Sequence, residues 1–170
     1  MRLHIFILIT AIAFIAGLSA KDLPVNVNDW DVSGEGNGVE QHLGRSALAI
    51  KGGQAIHKSI EFKNGVIEFD VAFPASRNFV GVSWRIVDEG NYEDFYLRPH
   101  QSGKKDANQY TPVFNGNSGW QLYHGEGYGA PTEYVFDQLM PVKIVVSGDR
   151  AKIYVHDMTT PAVITHRFKR

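Results

Sequence analysis

Cysteine is absent from this chain, which has 0 Cys in 170 residues. Without cysteine no disulfide can brace the fold, and neither a thiol nucleophile nor a lipid anchor attached to cysteine is available. Hydrophobic packing must therefore hold the protein together.

A strong net charge is also missing, because the formal net charge at pH 7 is only -1. A balance this close to zero gives no electrostatic reason to expect nucleic acid or an anionic membrane surface as a partner. No nucleic-acid partner is predicted, and small or neutral ligands remain open.

Several signatures of catalysis are absent as well. There is no Gly-x-Ser-x-Gly elbow, no glycine-rich phosphate loop before a helix and no dinucleotide fingerprint. The histidines show no paired spacing such as His-Glu-x-x-His; those considered are His57, His100, His124, His156 and His166. Nucleophilic hydrolysis and a zinc site therefore find no support in the sequence.

One long apolar run is present, at the start of the chain. Residues 5–18 are apolar apart from Thr10 and Gly17, follow Arg2, and precede Ser19 and Ala20. This pattern is typical of a cleavable signal peptide, here residues 1–20, and the run is shorter than the about 20 residues of a membrane span. An uncleaved signal anchor is the alternative. We expect a secreted or periplasmic protein with no membrane span after cleavage, and export without cysteine favours a bacterial source.

The remainder is predicted to be a short arm at residues 21–29 followed by one domain at 30–170. Apolar and polar residues alternate here, as in half-buried strands. Ile67, Phe69 and Val71 predict one such strand at 65–73. Residues 79–87 are apolar at nearly every position, which predicts a central strand covered on both sides.

Further short strands are predicted throughout the domain. They fall at 46–50, 54–61, 92–99, 108–114, 119–124, 132–136, 141–147, 150–156 and 162–167, with one short helical turn at 136–140. Many short strands and 17 Gly indicate an all-β fold of two stacked antiparallel sheets, a β-sandwich of the jelly-roll kind.

Three segments resemble a known superfamily: 64–71 (NGVIEFDV), 79–85 (FVGVSWR) and 92–98 (YEDFYLR). They look like the concanavalin A-like lectin/glucanase fold, in particular laminin G-like and 3-keto-disaccharide hydrolase-like domains. Their motifs are strand patterns, so the resemblance implies the fold more than an activity. Members commonly close with one more strand near the C-terminus, whereas this chain stops at Arg170 directly after a strand-like run. A truncated fragment and an unusually short member are both open.

The segment 92–100 offers the best candidate binding surface. One face of this strand mixes aromatic, acidic and basic side chains, which suits sugars: rings cover C–H surfaces, and charged groups bond to hydroxyls. The alternative is a structural tyrosine ladder in which Asp94 pairs with Arg85 or Arg98. With neighbouring strands included, the predicted carbohydrate-binding residues are Arg85, Tyr92, Asp94, Tyr96, Arg98, His100, Tyr110 and Tyr123.

Glu68 and Asp70 share one face of a strand, as paired catalytic carboxylates do. The glucanases of the superfamily have a further Glu on this strand, and Ala72 and Phe73 stand at its two positions here. A solvated face is therefore favoured over catalysis. Trp120 shares the phase of Leu122, which favours a core anchor over a sugar platform.

Calcium is a frequent structural ion in such sandwiches, and oxygen-bearing loop residues could hold it. Asp88, Glu89 and Asn91 form one candidate group, and Asp29 and Asp31 form another.

The preferred functional prediction is an exported, non-catalytic carbohydrate-binding domain that recognises a glycan on one sheet face. One alternative is a glycoside-cleaving enzyme in which Asp94, Glu93 or the Glu68/Asp70 pair acts with help from His100. The other is a laminin G-like module that binds protein.

Overall fold

A computed structural model of the protein describes residues 22–167, so the predicted signal peptide at 1–20 lies outside the described residues. A 3-10 turn spans Pro99–Gln101. Within 22–167 no helix has the length and apolar character needed to cross a membrane. The strands are β1 (Trp30–Ser33), β2 (Gly38–His42), β3 (Arg45–Ala49), β4 (Gln54–His57), β5 (Gly65–Val71), β6 (Val80–Asp88), β7 (Asn91–Leu97), β8 (Asn108–Phe114), β9 (Asn117–Ser118), β10 (Met140–Ser147), β11 (Arg150–Val155) and β12 (Val163–His166).

The strands form four antiparallel sheets, two of them with four strands each. One large sheet has the order β12-β11-β10-β5 and the other has the order β6-β7-β8-β9. The pairs β1-β4 and β2-β3 are two-stranded. The predicted all-β sandwich is confirmed.

The core lies between the two large sheets. Val142, Ile144 and Ile153 face it from the first sheet, and Trp84 and Phe95 face it from the second. Each of these side chains is almost completely buried. Since burying one large apolar side chain is worth roughly 1.5–3 kcal/mol, this layer supplies the stability that disulfides cannot.

Strand β7 has the two faces that its sequence predicts. Glu93, Phe95 and Leu97 are buried, whereas the residues between them are only partly buried. Successive side chains of a strand point to opposite sides, so β7 turns one row to the core and the other away from it. We call the side of the β6–β9 sheet that faces away from the core the outer face.

Strand β6 is not the central strand that its apolar sequence predicted. It lies at the edge of its sheet, and Ile86 and Val87 are 50% and 69% exposed. The pairing with β7 is interrupted between Trp84 and Asp88, where Arg85 has a φ of 52°. An apolar run has no period, so it could not reveal this bulge or the exposure beyond it.

The structure differs from the predicted strands in other segments as well. Residues 119–124 form a turn, in which the Gly119 carbonyl accepts bonds from the Leu122 and Tyr123 N–H groups at 2.7 and 3.2 Å. Residues 132–136 form no strand, and no helical turn forms at 136–140. The strands at 30–33 and 38–42 were not predicted, and the strand predicted at 54–61 ends at His57. Local patterns do not show whether a partner strand exists, and a strand needs one.

Candidate functional site

A pocket opens at the end of the outer face where β7 leaves the sheet. The segment before β6, the turn after β7 and the loop 119–124 form its walls, and its volume is about 460 Å³. We call it the arginine pocket; it is lined by Arg77, Phe79, Tyr96, Arg98, His100, Gln101, Asp106 and Trp120.

Arg98 is held in a fixed position at this pocket. Its Nη2 donates to the Tyr96 hydroxyl at 3.1 Å and to Gln109 Oε1 at 2.5 Å. Its Nη1 donates to the main-chain carbonyl of Asp106 at 3.3 Å. The guanidinium carbon lies 5.2 Å from the centroid of the Tyr96 ring and 6.0 Å from that of Phe79, within the range of cation–π attraction.

Within the described residues, Arg98 forms no ion pair with an acidic side chain. The ion pairs among residues 22–167 involve other side chains, and neither Arg98 nor Arg77 takes part in one. All three acceptors that position Arg98 are neutral groups. Arg77 and Arg98 outnumber Asp106, the one carboxylate of the lining, so the pocket presents a net positive charge.

Gln109 connects the pocket floor to the wall that carries Trp120. Its Oε1 accepts a bond from the Tyr96 hydroxyl at 2.8 Å. Its Nε2 donates to the carbonyl of Trp120 at 2.6 Å and to that of Tyr123. Because both carbonyls belong to the loop 119–124, these bonds fix Trp120 beside the pocket, where it is 49% exposed.

Phe79 supplies an aromatic wall opposite that loop. Its ring centroid lies 6.0 Å from Tyr96 and 5.6 Å from His100, both edge-on. The Nδ1 atom of His100 is buried and has no hydrogen-bond partner among the described residues. The pocket thus combines ring surfaces with polar atoms.

Asp94 continues the outer face next to Tyr96. It lies between Ser83 and Thr111 in the strand register, and the Ser83 hydroxyl donates to its Oδ1 at 2.9 Å. Burial raises the pKa of Asp94 to about 6, although the bonds from Ser83 and the Phe95 N–H oppose the shift. Burial of Tyr96, reinforced by the Asp94 charge although opposed by Arg98, also raises the pKa of the Tyr96 phenol, so its hydroxyl remains a donor.

The opposite face of β7 carries a second cluster of charges. Glu93 Oε1 lies 2.9 Å from Arg85 Nη1 and 3.1 Å from Arg167 Nε. The Tyr110 hydroxyl donates to Glu93 Oε2 at 3.1 Å. We call these four residues the inner charge cluster.

Arg85 and Tyr110 were predicted for the outer face, and that placement is wrong. The positive φ of Arg85 turns its side chain to the inner side, away from Ser83. Tyr110 pairs with Phe95 in the register and is completely buried in the core. Both faces of β8 are buried from Asn108 to Val113, so its sequence held no alternation from which to assign the face.

Five of the other predicted residues lie at the pocket or along the outer face. Tyr96, Arg98 and His100 line the arginine pocket. Tyr92 and Asp94 lie along the same outer face, because they share the phase of Tyr96.

Tyr123 is in the loop 119–124, but its ring packs 5.4 Å from that of Tyr128 and it does not belong to the pocket lining. The predictions omitted Arg77, Phe79, Gln101 and Asp106, and placed Trp120 in the core. The available signal was a tryptophan directly after an Asn- and Gly-rich turn, which indicates exposure better than its phase with Leu122 does.

Of the carboxylates in the glycosidase hypothesis, Asp94 lies on the outer face and the other three lie elsewhere. Glu68 and Asp70 are exposed on β5 of the other large sheet, and Asp70 pairs with Arg45 at 2.5 Å. This arrangement agrees with a solvated face. Glu93 is enclosed in the inner charge cluster.

The candidate calcium ligands take part in turn structure. Asp88 Oδ1 accepts bonds from the Gly90 N–H and the Asn91 side chain, both at 2.8 Å. Asp29 accepts a bond from the side chain of Asn26. Among residues 22–167, no three His, Asp or Glu side chains come together to hold a metal, and calcium stays a prediction.

Comparisons with known proteins give a match among solved structures but none among family models or curated proteins. No family model matches the chain, and no curated protein matches it. Among solved structures, the chain is similar to carbohydrate binding module CBM66 from Bacillus subtilis, with a TM-score of 0.60, 16% identity, and coverage of 85% of this chain and 83% of that one. At this identity the likeness concerns the fold.

Proposed function

We propose that this protein binds a carbohydrate in the arginine pocket and along the adjoining outer face. The observation that carries the proposal is the pocket itself, in which Arg98 is clamped by Tyr96 and Gln109 beside the rings of Phe79 and Trp120. A volume of about 460 Å³ is within the usual range of small-ligand sites.

The chemistry of this lining suits a sugar. Aromatic rings cover the C–H surfaces of pyranose or furanose rings, while arginine, aspartate and amide groups bond to hydroxyls in fixed directions. Phe79 and Trp120 are half exposed and provide such ring surface.

The site is also organised before any ligand arrives. The floor and one wall are tied together through Gln109, so few side chains need to be ordered on binding. Lower ordering costs leave more of the interaction energy for affinity.

The outer face can accommodate more than one sugar ring. Asp94, Tyr96 and Arg98 follow one another at every second position, so the row extends over roughly 13 Å. Asp94 and Ser83 can bond to hydroxyls at the end away from the pocket.

The fold supports the same proposal, because the similar structure is named a carbohydrate-binding module. We propose further that the chain is an exported member of the concanavalin A-like superfamily, which its strand pattern resembles, and that its sandwich binds without cleaving. Of the carboxylates considered for catalysis, Glu93, Glu68 and Asp70 lie away from the pocket, whereas Asp94 lies on the outer face beside Tyr96. None of the other three shares that face with Asp94, so this set does not form the carboxylate pair of a glycosidase, which favours binding over hydrolysis.

The test is to pass the purified protein over a panel of immobilised polysaccharides while sugar release is recorded in parallel. Retention without release is expected. Release of reducing ends would identify an enzyme. Absence of both from a sample with a cooperative unfolding transition would leave the protein-binding module as the better account.

A further inference from the structure

We propose that the arginine pocket selects an acidic glycan, and that the carboxylate of a uronic acid or similar sugar acid occupies the space beside Arg98. This inference rests on the proposed function and adds the class of ligand.

The first argument is the charge of the pocket lining. Arg77 and Arg98 contribute two guanidinium groups, against one carboxylate on Asp106. By contrast, Arg45, Arg85 and Arg167 each have an acidic partner elsewhere in the described chain. Arg150 on β11 also lacks an ion pair, so two of the three described arginines without one line the pocket.

The second argument concerns the hydrogen bonds of Arg98. Arginine has five N–H donors, and within the described residues Arg98 uses three of them, on the Tyr96 hydroxyl, Gln109 Oε1 and the Asp106 carbonyl. Its Nε–H and one N–H of Nη1 remain for a ligand. A carboxylate is the favoured acceptor, because the attraction between opposite charges adds to the hydrogen bond with a guanidinium.

The third argument separates a sugar acid from a bare anion. The same guanidinium stacks on the ring of Tyr96, and Phe79 and Trp120 stand beside it as exposed ring surface. A small inorganic anion would leave these rings uncovered. A sugar acid joins a planar carboxylate to a C–H surface in one residue.

Arg77 supplies a second charge at the rim of the pocket. It lies before β6, is exposed, and has no ion-pair partner among the described residues. In an acidic polysaccharide the carboxylates repeat along the chain, so Arg77 can pair with a neighbouring sugar. We expect a smaller contribution from Arg77, because water screens an exposed pair.

The test uses pairs of probes that differ only in charge. Polygalacturonate, alginate and hyaluronan are each compared with their carboxyl-methylated forms, and a neutral glucan is included. Binding is measured by titration calorimetry and affinity electrophoresis, with and without added sodium chloride. At least one free acid should bind roughly tenfold or more tightly than its methyl ester, and salt should reduce that difference.

Variants assign the preference to the pocket. Arg98→Gln should weaken binding of the free acid roughly tenfold to a hundredfold and binding of the ester by a clearly smaller factor, because the ester loses a hydrogen bond to Arg98 but no charge pair. Arg77→Gln should give a smaller loss of the same kind; it provides a second reading if Arg98→Gln disturbs folding. Arg150→Gln, which removes an exposed arginine from the other large sheet, is the matched control and should have no effect.

The possible outcomes separate this inference from the proposed function. Equal affinity for acid and ester, preference for the neutral glucan, or an equal effect of Arg98→Gln on both forms would overturn acid selection while carbohydrate binding stands. Failure of the folded protein to bind any polysaccharide would overturn the proposed function and the inference together.

Discussion

Two arginines on the same sheet have opposite surroundings. Arg85 on β6 is 6% exposed and lies against the carboxylate of Glu93, whereas Arg98 after β7 lies in an open pocket among neutral acceptors. Enclosing a charge is costly unless it is paired and hydrogen-bonded, and Arg85 has an acidic partner and uses four of its five N–H donors. A charge that is positioned but not neutralised, such as Arg98, is instead available for a ligand.

The bonds of Arg85 show what the inner charge cluster does. Its guanidinium also donates to the Lys63 carbonyl, the Asn64 side chain and the Gly148 carbonyl, at 2.6, 2.9 and 2.5 Å. These partners lie before β5 and in the turn between β10 and β11, which belong to the other large sheet. The inner charge cluster therefore joins the two sheets, and changes there should reduce stability, while changes in the arginine pocket should reduce binding.

Among the substitutions that test this difference between the two arginines, Glu93→Gln should have the largest effect on stability. Loss of the carboxylate charge leaves Arg85 enclosed without compensation, so the free energy of unfolding should fall by about 3–5 kcal/mol. Urea unfolding followed by fluorescence measures this loss. Glu68→Gln, an exposed substitution on β5, is the control and should stay within about 0.5 kcal/mol of wild type. A similar small change for Glu93→Gln would contradict the role given to the cluster.

Tyr110→Phe and Tyr96→Phe form a matched pair across the two faces. Burial and the nearby Glu93 charge raise the pKa of Tyr110, so its hydroxyl remains a donor to Glu93. Removing that bond should lower the free energy of unfolding by about 2 kcal/mol, as for a buried bond to a charged group. Tyr96→Phe should cost less stability and weaken glycan binding instead. Equal losses of stability in the same unfolding assay would remove the distinction between the faces.

Asp94→Asn tests the outer face through pH. The pKa of Asp94 in the fold is about 6, above its ordinary value of 3.8. The contribution of the protonated carboxyl to the free energy of unfolding is therefore fully present below about pH 4 and is lost as pH rises through about 6. The amide stays neutral and can still accept the bond from Ser83. The variant should therefore match wild type near pH 4 and be more stable by about 1–2 kcal/mol above pH 7, a range that allows for solvent screening.

Thermal unfolding across this pH range provides the measurement for Asp94→Asn. The control is Asp70→Asn, whose parent carboxylate is exposed on the other sheet, and it should gain no stability as pH rises. A constant difference between Asp94→Asn and wild type at every pH would refute the raised pKa.

Trp120→Ala should have the smallest effect of these substitutions, and it should change glycan binding while leaving stability almost unchanged. The side chain is half exposed, so stability should change by less than about 0.5 kcal/mol. Loss of its ring should weaken glycan binding about fivefold, as for one aromatic contact of about 1 kcal/mol. Calorimetry with the best-retained polysaccharide measures it, and unaltered affinity would exclude Trp120 from the site. Leu122→Ala, on the same loop but outside the lining, is the control.

The strands that the sequence predicted well are those with clear local patterns. The bounds of β8 were predicted at 108–114, and β10 and β11 differ from prediction by one residue at an end. The strand at 30–33 alternates but was missed because it has only four residues, and the strand at 38–42 was missed because it alternates weakly and three of its five residues are exposed. For the site, the predicted row on β7 gave three of the lining residues, namely Tyr96, Arg98 and His100.

The sequence by itself determined the fold class and the two faces of β7, because alternation at every second position is a local property of an extended backbone. Only the tertiary structure decided which distant segments meet: Arg77, Asp106 and Trp120 are brought to Arg98 by three separate loops. It also decided the side on which Arg85 lies, because a bulge changes the phase of a strand without a signal in its own apolar run. Contacts between loops depend on the packing and register of whole sheets, and no short stretch of sequence encodes those alone.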